Sequence, residues 1–389
     1  MMIVLFELII WILTGFFSVG IIGINYLYTQ KMASSNWKIE KNPLYLPKVS
    51  IIIPTFNEEK IIGYKIKNLM KVEYPINLVE YIFVDSLSSD STMNIIREIT
   101  SLYSDKKIQI LTDIDKKGKS NALNFALKYC NNEIIIVSDA DCFWQKNTLI
   151  TALSYFYDKK IGAVTAPKRL LNNESTWVTR SEDRYLKSMN LIKLGDSKTG
   201  STIFFEGGLS AFRRELVDKF DPYSTGSDDC GTVITILEKN YRAIMISETE
   251  FFTTFPETFK EKIDIKIRRS VQLWQIYRRY LSDLIYNKIK ISRSIIIKNI
   301  FLFFFGPFIF MIFSFLTLLV FLKIPLFSLL LLIMFIPMVR EYSFELIFNY
   351  SIFFFSLLTL ISRKRFLVWE KPGDRELFTE KSLIEKNLI

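Results

Sequence analysis

Two carboxylates separated by one residue, Asp139 and Asp141, follow a short apolar run and are placed to hold a divalent cation. The run before them, Ile134–Val137, is continuous and β-branched, which is typical of a strand buried on both faces of a parallel sheet. Strand alternation points both carboxylates to the same side. Carboxylate oxygens are the ligands that Mg²⁺ and Mn²⁺ prefer, so we predict a metal site here. An acidic pair that only solvates a strand end is the plainer interpretation, and the neighbouring motifs weigh against it.

The chemistry available to this chain is narrowed by its composition. The sequence has no histidine and three scattered cysteines, Cys130, Cys142 and Cys230. A general base must therefore be a carboxylate, lysine, tyrosine or cysteine, and no metal ligand can be an imidazole. The cysteines show neither metal-ligand spacing nor a disulfide pattern, which favours the reducing side of a membrane.

Apolar residues are concentrated at the two ends of the 389-residue chain. Residues 1–28 and 300–361 are long apolar runs with few charges, which predicts a multi-pass membrane protein with a soluble middle. Lysines follow the first run, so its C-terminal end and the middle domain are expected on the cytoplasmic side. The second run fits two spans plus a re-entrant piece, and their number stays open. The net charge of +10 lies beside these runs without a nucleic-acid motif, so the expected partner is the membrane surface and no nucleic acid.

Strand and helix patterns alternate between the two apolar runs. This alternation predicts an α/β fold with a mainly parallel sheet covered by helices on both faces. In such sheets ligands bind outside the carboxyl ends of the strands, where the turn from Pro54 to Glu58, Asp85 and Asp139 to Asp141 are expected. The expected strands are Val49–Ile53, Val79–Val84, Ile108–Leu111, Ile134–Val137 and Ala243–Ile246. The expected helices are Glu58–Met70, one ending near Tyr103, Gly118–Tyr129 and Val233–Lys239.

A basic amphipathic segment precedes the second apolar run. Residues including Leu273, Trp274 and Tyr277 recur at helical spacing, with Arg278 and Arg279 on the opposite face. This pattern predicts a helix that lies at the lipid headgroups. An ordinary helix packed on the protein core is the alternative.

Further motifs recur in a fixed order between residues 48 and 270. An opening strand and turn, Val49–Glu59, is followed by Val84-Asp85-Ser86 and by a helix start at Gly118–Asn124. A Gly-rich stretch at Glu206–Arg214 and the pair Asp228-Asp229 come after the Asp-x-Asp pair. In this order and spacing the chain resembles an inverting glycosyltransferase of the large glycosyltransferase family 2, which has the GT-A nucleotide-sugar fold.

The resemblance implies where the nucleotide of a sugar donor would bind. Asp85 would accept hydrogen bonds from the uracil of a UDP-linked sugar, although Ser86 departs from the family's Val-Asp-Asp strand end. The family's Pro-x-x-Asn-Glu turn, which lies under the nucleotide, corresponds here to Pro54, Thr55, Asn57 and Glu58.

The family's binding positions for the diphosphate and the cation also have counterparts in this sequence. Lys119 stands beside a helix N-terminus, and both contribute positive potential suited to a diphosphate. A solvated lysine near a helix cap is the alternative interpretation. Asp139 and Asp141 match the family's metal-binding pair, which implies Mg²⁺ or Mn²⁺ as the cofactor.

The acceptor side of the site is implied by the later motifs. Glu206 and Gly207 begin the Gly-rich segment that precedes an Arg-Arg pair and lines the acceptor site. Asp229 occupies the position of the family's general base, supported by Asn240-Tyr241-Arg242, which stands where the family has Gly-Tyr-Arg. Asp228, which with Asp229 occupies the family's Glu-Asp position, is also a candidate catalytic residue, and it is expected to cap a helix that begins near Gly231. Glu206 is the next candidate for the base.

One motif departs from that of the processive polysaccharide synthases. Where those synthases have Gln-x-x-Arg-Trp, this chain has Ile265 to Arg269. Arg268 keeps the arginine that faces the diphosphate, whereas Arg269 replaces the tryptophan that stacks on the acceptor sugar. We therefore expect a single sugar to be added to a lipid-linked or saccharide acceptor. A processive synthase is the main alternative, and a non-catalytic sugar-binding membrane scaffold is a remote one.

The expected domain organisation follows from these patterns. Trp369–Pro372 resembles the cytoplasmic tail of many membrane-bound family members. The segments are an N-terminal membrane helix (1–30), a GT-A domain (48–256), basic interfacial helices (257–299), a C-terminal membrane region (300–361) and a cytoplasmic tail (362–389).

Overall fold

A computed structural model describes residues 2–115, 118–290, 292–361 and 373–389. The strands are β1 Val49–Thr55, β2 Val79–Asp85, β3 Lys107–Thr112, β4 Ile134–Val137, β5 Phe143–Trp144, β6 Ile161–Thr165, β7 Lys168–Leu170, β8 Ser210–Arg213, β9 Arg242–Met245 and β10 Phe251–Thr253. The α-helices are α1 Met2–Gly15, α2 Ile21–Ala33, α3 Ile62–Lys71, α4 Thr92–Ser101, α5 Lys119–Leu127, α6 Thr148–Ser154, α7 Trp177–Thr199, α8 Asp228–Glu238, α9 Phe259–Ile285, α10 Arg293–Asn299, α11 Gly306–Lys323, α12 Pro337–Ile361 and α13 Glu380–Glu385.

The central sheet has seven strands in the order β3-β2-β1-β4-β8-β6-β9. The first four strands run parallel, and only β8 pairs antiparallel to its neighbours β4 and β6. A second sheet of three short strands has the order β5-β10-β7. The predicted α/β fold with a mainly parallel sheet is therefore confirmed.

The core lies on both faces of the central sheet, as the continuous apolar runs predict. Every residue of β1, β2 and β4 is buried. Alternation along β1 sends Ile51 and Ile53 into one apolar cluster and Ile52 into the other. Because both faces are covered, these strands have no solvent-facing polar side, and the polar side chains within them are buried and paired, as in the hydrogen bond from the Ser50 hydroxyl of β1 to the Glu80 carboxylate of β2.

Two helices begin at positions that differ from the predicted ones. α3 begins at Ile62, because Glu58 and Glu59 belong to the turn after β1. α8 begins at Asp228, not near Gly231, and holds Asp228 and Asp229 in its first turn. Carboxylates in a first turn are stabilised by the positive end of the helix dipole, which explains the earlier start.

The apolar face of α9 is inside the protein, not at the lipid headgroups as predicted. Trp274, Tyr277 and Tyr280 are buried. The Trp274 ring stacks on Phe353 of α12 at 4.3 Å between centroids, and its indole nitrogen donates to the Phe353 carbonyl oxygen at 3.1 Å. Aromatic residues at helical spacing are as suited to a protein core as to an interface, and here the neighbouring helix covers them.

Three described helical segments are long and apolar enough to cross a membrane. They are Leu5–Ala33, Arg293–Lys323 and Val339–Leu360, and a shorter apolar helix, Pro325–Phe335, lies between the last two. This arrangement agrees with two C-terminal spans separated by a shorter piece. The basic stretch Ser362–Arg365 and the motif Trp369–Pro372 lie outside the described residues.

Candidate active site

Most of the predicted site residues line one cavity of about 510 Å³ at the carboxyl ends of the parallel strands. The cavity is bounded by the ends of β1 and β4, the start of α5, the first turn of α8 and the middle of α9. The predicted residues in its wall are Glu58, Lys119, Asp139, Asp141, Glu206, Gly207, Asp228, Asp229, Arg268 and Arg269.

Lys119 connects the predicted metal site with Asp228, the neighbour of the predicted base Asp229. Its Nζ lies 2.6 Å from Asp139 Oδ1 and 3.0 Å from Asp228 Oδ2. Gly118 has φ +93°, a conformation that favours glycine and here precedes the first turn of α5. Burial would lower the pKa of Lys119, but the carboxylates of Asp139, Asp228 and Asp229 raise it, so the ammonium stays charged.

The Asp-x-Asp pair fits a hard divalent cation. One ligand atom each of Asp139, Asp141 and Cys142 lie within 4.8 Å of one another. Burial and the two neighbouring carboxylates raise the pKa of the Cys142 thiol, so it stays protonated and is a poor ligand. Burial would raise the pKa of Asp141, but Arg375 and Lys168 lower it, which keeps that carboxylate ionised. The remaining donor set is two carboxylates, the chemistry that suits Mg²⁺ or Mn²⁺.

Gly207 lets the backbone approach this pair closely. The Asp139 backbone N–H donates to the Gly207 carbonyl oxygen at 2.9 Å. A Cβ at Gly207 would lie 2.5 Å from Asp139 Oδ2 and 2.6 Å from Lys119 Nζ. A side chain at this position would therefore separate the lysine from the carboxylate.

We expect Gly207→Ala to reduce donor turnover by about 10²-fold, because displacing a positioning group by about 1 Å has an effect of that size. The measurement is the initial rate of nucleotide diphosphate release. Gly23→Ala is the matched control, since a Cβ at Gly23 meets nothing within 4 Å. Equal rates for the two variants would contradict this role of Gly207.

The two carboxylates of the acidic pair have different environments. Asp228 is 9% exposed and pairs with Lys119, whereas a side-chain cap of α8 by Asp228 is absent from the described structure. Asp229 accepts hydrogen bonds through Oδ1 only, from the Ser227 hydroxyl and from the Cys230 N–H at 2.7 Å. Within the described residues no hydrogen bond reaches Asp229 Oδ2, so this oxygen can accept one from a ligand in the cavity.

Glu206 is held by two lysines that also line the cavity. Lys193 pairs with its Oε1, and Lys168 Nζ lies 3.6 Å from its Oε2. Burial would raise the pKa of Glu206, but these lysines and Arg269 lower it to about 2. A carboxylate with so low a pKa is a weak base, so the environment disfavours Glu206 as an alternative general base.

Four predicted nucleotide-binding residues do not line this cavity. Asp85 is 1% exposed, and its carboxylate accepts from the Thr55 hydroxyl at 3.1 Å and from the Ser88 backbone N–H at 2.9 Å. Asn57, with φ +52°, accepts from the Ser89 N–H at 2.7 Å and so joins the ends of β1 and β2. The four residues outside the cavity wall are Pro54, Thr55, Asn57 and Asp85.

The structure adds basic residues that sequence motifs did not reveal. Lys168 and Lys193 hold Glu206, and Arg375, from the C-terminal segment, contacts Asp141 and Glu58. Arg375 is 234 residues from Asp141 in sequence. The only local signal was an arginine shortly after the Trp369–Pro372 motif.

An α/β domain with an acidic pair, a lysine and a second carboxylate pair around one cavity at its strand ends is the arrangement expected of a GT-A glycosyltransferase. Residues 47–271, more than half of the chain, match the family described as glycosyltransferase like family 2. The chain therefore belongs to this family and is a glycosyltransferase.

Relatives with curated names are glycosyltransferases too. The probable glycosyltransferase YdaM of Bacillus subtilis is 27% identical over 74% of this chain and 68% of its own length. The β-monoglucosyldiacylglycerol synthase of Trichormus variabilis is 34% identical, but the match covers 35% of this chain and 29% of that protein. The hyaluronan synthase of Streptococcus pyogenes is 25% identical over 55% of this chain and 54% of its own length.

A solved structure shares the fold over nearly the whole chain. It is the mannosyltransferase PcManGT from Pyrobaculum calidifontis in complex with GDP-Man and Mn²⁺. The TM-score is 0.78 with 24% identity, and the alignment covers 92% of this chain and 99% of that one. This similarity confirms the GT-A fold.

Proposed function

We propose that this membrane glycosyltransferase transfers a sugar from a nucleotide-diphosphate donor to an acceptor hydroxyl by metal-assisted single displacement with inversion. The observation that carries the proposal is Lys119, whose ammonium joins Asp139 of the Asp-x-Asp pair to Asp228 beside Asp229. A metal-binding group and a candidate base thus face the same cavity, on which donor and acceptor can converge.

The roles follow from charge and position. A cation held by Asp139 and Asp141 would neutralise negative charge that develops on the leaving diphosphate. Lys119 and Arg268 add fixed positive charge to the same cavity. Asp229 would deprotonate the attacking hydroxyl through Oδ2. Attack from the opposite face inverts the anomeric centre, so no covalent nucleophile is needed.

The donor is proposed to be a nucleotide-diphosphate sugar, and UDP as its nucleotide rests on the family resemblance at Asp85 alone, since that carboxylate is buried outside the cavity wall. PcManGT was solved with GDP-Man, which supports the donor class and makes GDP the competing nucleotide. The test is a screen of UDP- and GDP-sugars for metal-dependent release of nucleotide diphosphate by the full-length protein. Release from no donor would favour the sugar-binding scaffold, although retention of Asp139, Asp141 and Asp229 together weighs against that alternative.

The acceptor is proposed to be lipid-linked or a saccharide near the membrane. Apolar side chains of Leu273 and Ile276 in α9, and of Phe303 within the candidate membrane span Arg293–Lys323, line the same cavity as the carboxylates. A relative named as a glycolipid synthase supports a lipid acceptor. This wall provides an apolar surface for an acceptor that arrives from the bilayer.

We expect product analysis to show one added sugar. Arg269 stands where the processive synthases carry their stacking tryptophan, and its Nη1 lies 3.9 Å from Glu182 Oε1. Mass spectrometry of the product is the measurement. A ladder of products from one binding event would instead favour the processive synthase, the alternative that the hyaluronan synthase relatives support.

The catalytic domain is proposed to lie on the cytoplasmic side of a multi-pass protein. Three candidate spans support membrane insertion, and the lysines after the first span support this orientation. Exposed residues at the end of α9 and just after it, Ile285, Tyr286, Lys288 and Lys290, supply the apolar and basic groups for contact with the cytoplasmic leaflet.

A further inference from the structure

The C-terminal segment 373–389 packs onto the catalytic domain at the edge of the cavity. Leu383 and Leu388 are almost completely buried in the core cluster that covers one face of the central sheet. The rings of Phe378 and Phe143 lie 5.4 Å apart, and the Asn68 side-chain amide donates to the Leu388 carbonyl oxygen at 2.7 Å. These contacts give the segment a defined position beside the metal-binding carboxylates.

Arg375 of this segment joins two carboxylates of the cavity. Its Nη1 lies 2.7 Å from Asp141 Oδ2, and its Nε and Nη2 lie 2.9 and 3.4 Å from the two oxygens of Glu58. The Glu58 side chain is 2% exposed and that of Arg375 is 14% exposed. A planar guanidinium that is fixed in this way between two acids, largely away from water, is a strong charge-assisted contact.

Asp141, one of the two carboxylates that Arg375 contacts, is also a proposed ligand of the cation. A guanidinium and a divalent cation that both contact Asp141 repel each other strongly at low solvent exposure. Binding of the cation must therefore weaken the contact between Arg375 and Asp141. The contact with Glu58 would hold Arg375 nearby, and its positive charge would attract a diphosphate that binds together with the cation.

We propose that Arg375 is the counter-ion of Asp141 while the donor site is empty. When the metal–diphosphate complex binds, the cation replaces the guanidinium on Asp141. The C-terminal segment then couples cation binding to nucleotide binding: the arginine opposes the cation alone and favours the cation with its diphosphate. The proposal rests on the proposed function, because it takes Asp141 as a metal ligand.

Arg375→Ala tests the exchange through two binding measurements of opposite sign. The full-length protein in detergent is titrated with Mn²⁺ alone, and free Mn²⁺ is followed by electron paramagnetic resonance. We expect Mn²⁺ to bind about three- to tenfold more tightly to Arg375→Ala, since a competing charge is gone. With saturating Mn²⁺ we expect UDP, measured in parallel with GDP, to bind about tenfold more weakly, since a charge-assisted contact is lost.

Two further variants separate charge from structure. Arg375→Lys keeps the positive charge and should leave Mn²⁺ affinity near that of the wild type. Glu376 is the next residue of the same segment and forms an exposed ion pair with Lys60 of the catalytic domain. Glu376→Gln removes this ion pair and should change neither affinity. A merely structural role of Arg375 would weaken Mn²⁺ and nucleotide binding together.

The outcomes also distinguish this inference from the proposed function. Parallel weakening, unchanged affinities, or no measurable Mn²⁺ binding by either wild type or Arg375→Ala would overturn the counter-ion exchange. If the opposite signs are found but no nucleotide sugar is turned over, the exchange stands and the proposed function fails.

Discussion

Asp229→Asn should lose about 10² to 10⁴ in turnover while metal and donor binding stay nearly intact, because positioned proton transfer contributes a factor of this size. Asn keeps the shape of the side chain, and its Oδ1 can still accept from the Ser227 hydroxyl and the Cys230 N–H. What disappears is the ability of the second oxygen to take a proton. The measurement is the single-turnover rate at saturating donor, together with the affinity for the nucleotide in Mn²⁺.

Asp228→Asn is the matched comparison, since it is the adjacent residue in the same helix turn. Asp228 contacts Lys119 at 3.0 Å, so we expect its loss to loosen the lysine, raise the donor KM and reduce turnover less than Asp229→Asn does. Normal turnover by Asp229→Asn, or failure only because the donor no longer binds, would exclude Asp229 as the base. Asp228 would then be the next candidate for the base. Glu206 is disfavoured because its ion pairs lower its pKa and make it a weak base.

Asp141→Asn should cost donor affinity and rate together, by about 10²-fold or more, since it removes an anionic ligand from the proposed cation. The amide oxygen can still accept from Arg375, so the C-terminal segment is expected to remain in place. The measurement is the Mn²⁺ concentration that gives half-maximal activity, which should rise along with the donor KM.

Asp105→Asn is the control for a general effect of removing a carboxylate, because Asp105 is exposed in the turn between α4 and β3. It should leave both quantities unchanged. Full activity of Asp141→Asn in excess chelator would refute the assignment of this residue to a metal site.

The sequence by itself was sufficient for the four neighbouring parallel strands of the sheet and for the position of the site along the chain, whereas β6 and the antiparallel strand β8 were not predicted. β4 has the predicted bounds, and β1 and β2 extend the predicted strands by only one or two residues. A continuous apolar run is a local signal, because a strand covered on both faces has no solvent-facing positions. Polar residues directly after such strands necessarily gather at one edge of a parallel sheet, so Glu58, Asp139 and Asp141 could be grouped before any contact was known.

The sequence did not predict where α8 begins or which residue pairs with Asp228. The helical period of residues 233–239 does not reveal that α8 begins five residues earlier, because the first turn carries acids and a glycine. The partner of Asp228 is Lys119, which belongs to a different helix. A cap within one turn can be predicted locally, whereas an ion pair over more than a hundred residues cannot.

Only the tertiary structure decided which groups neutralise the site and what covers α9. Hydrophobic periodicity shows that α9 has an apolar face, but Trp274 could meet lipid or protein, and the structure places Phe353 against it. Likewise, Lys193 and Arg375 carry no motif, because a charged side chain at the surface and one paired in a cavity look alike in sequence. The sequence determined the position of Asp139 and Asp141, since they directly follow a buried strand; the chain's folding determined the basic partners of the site's acids, since those partners come from distant segments.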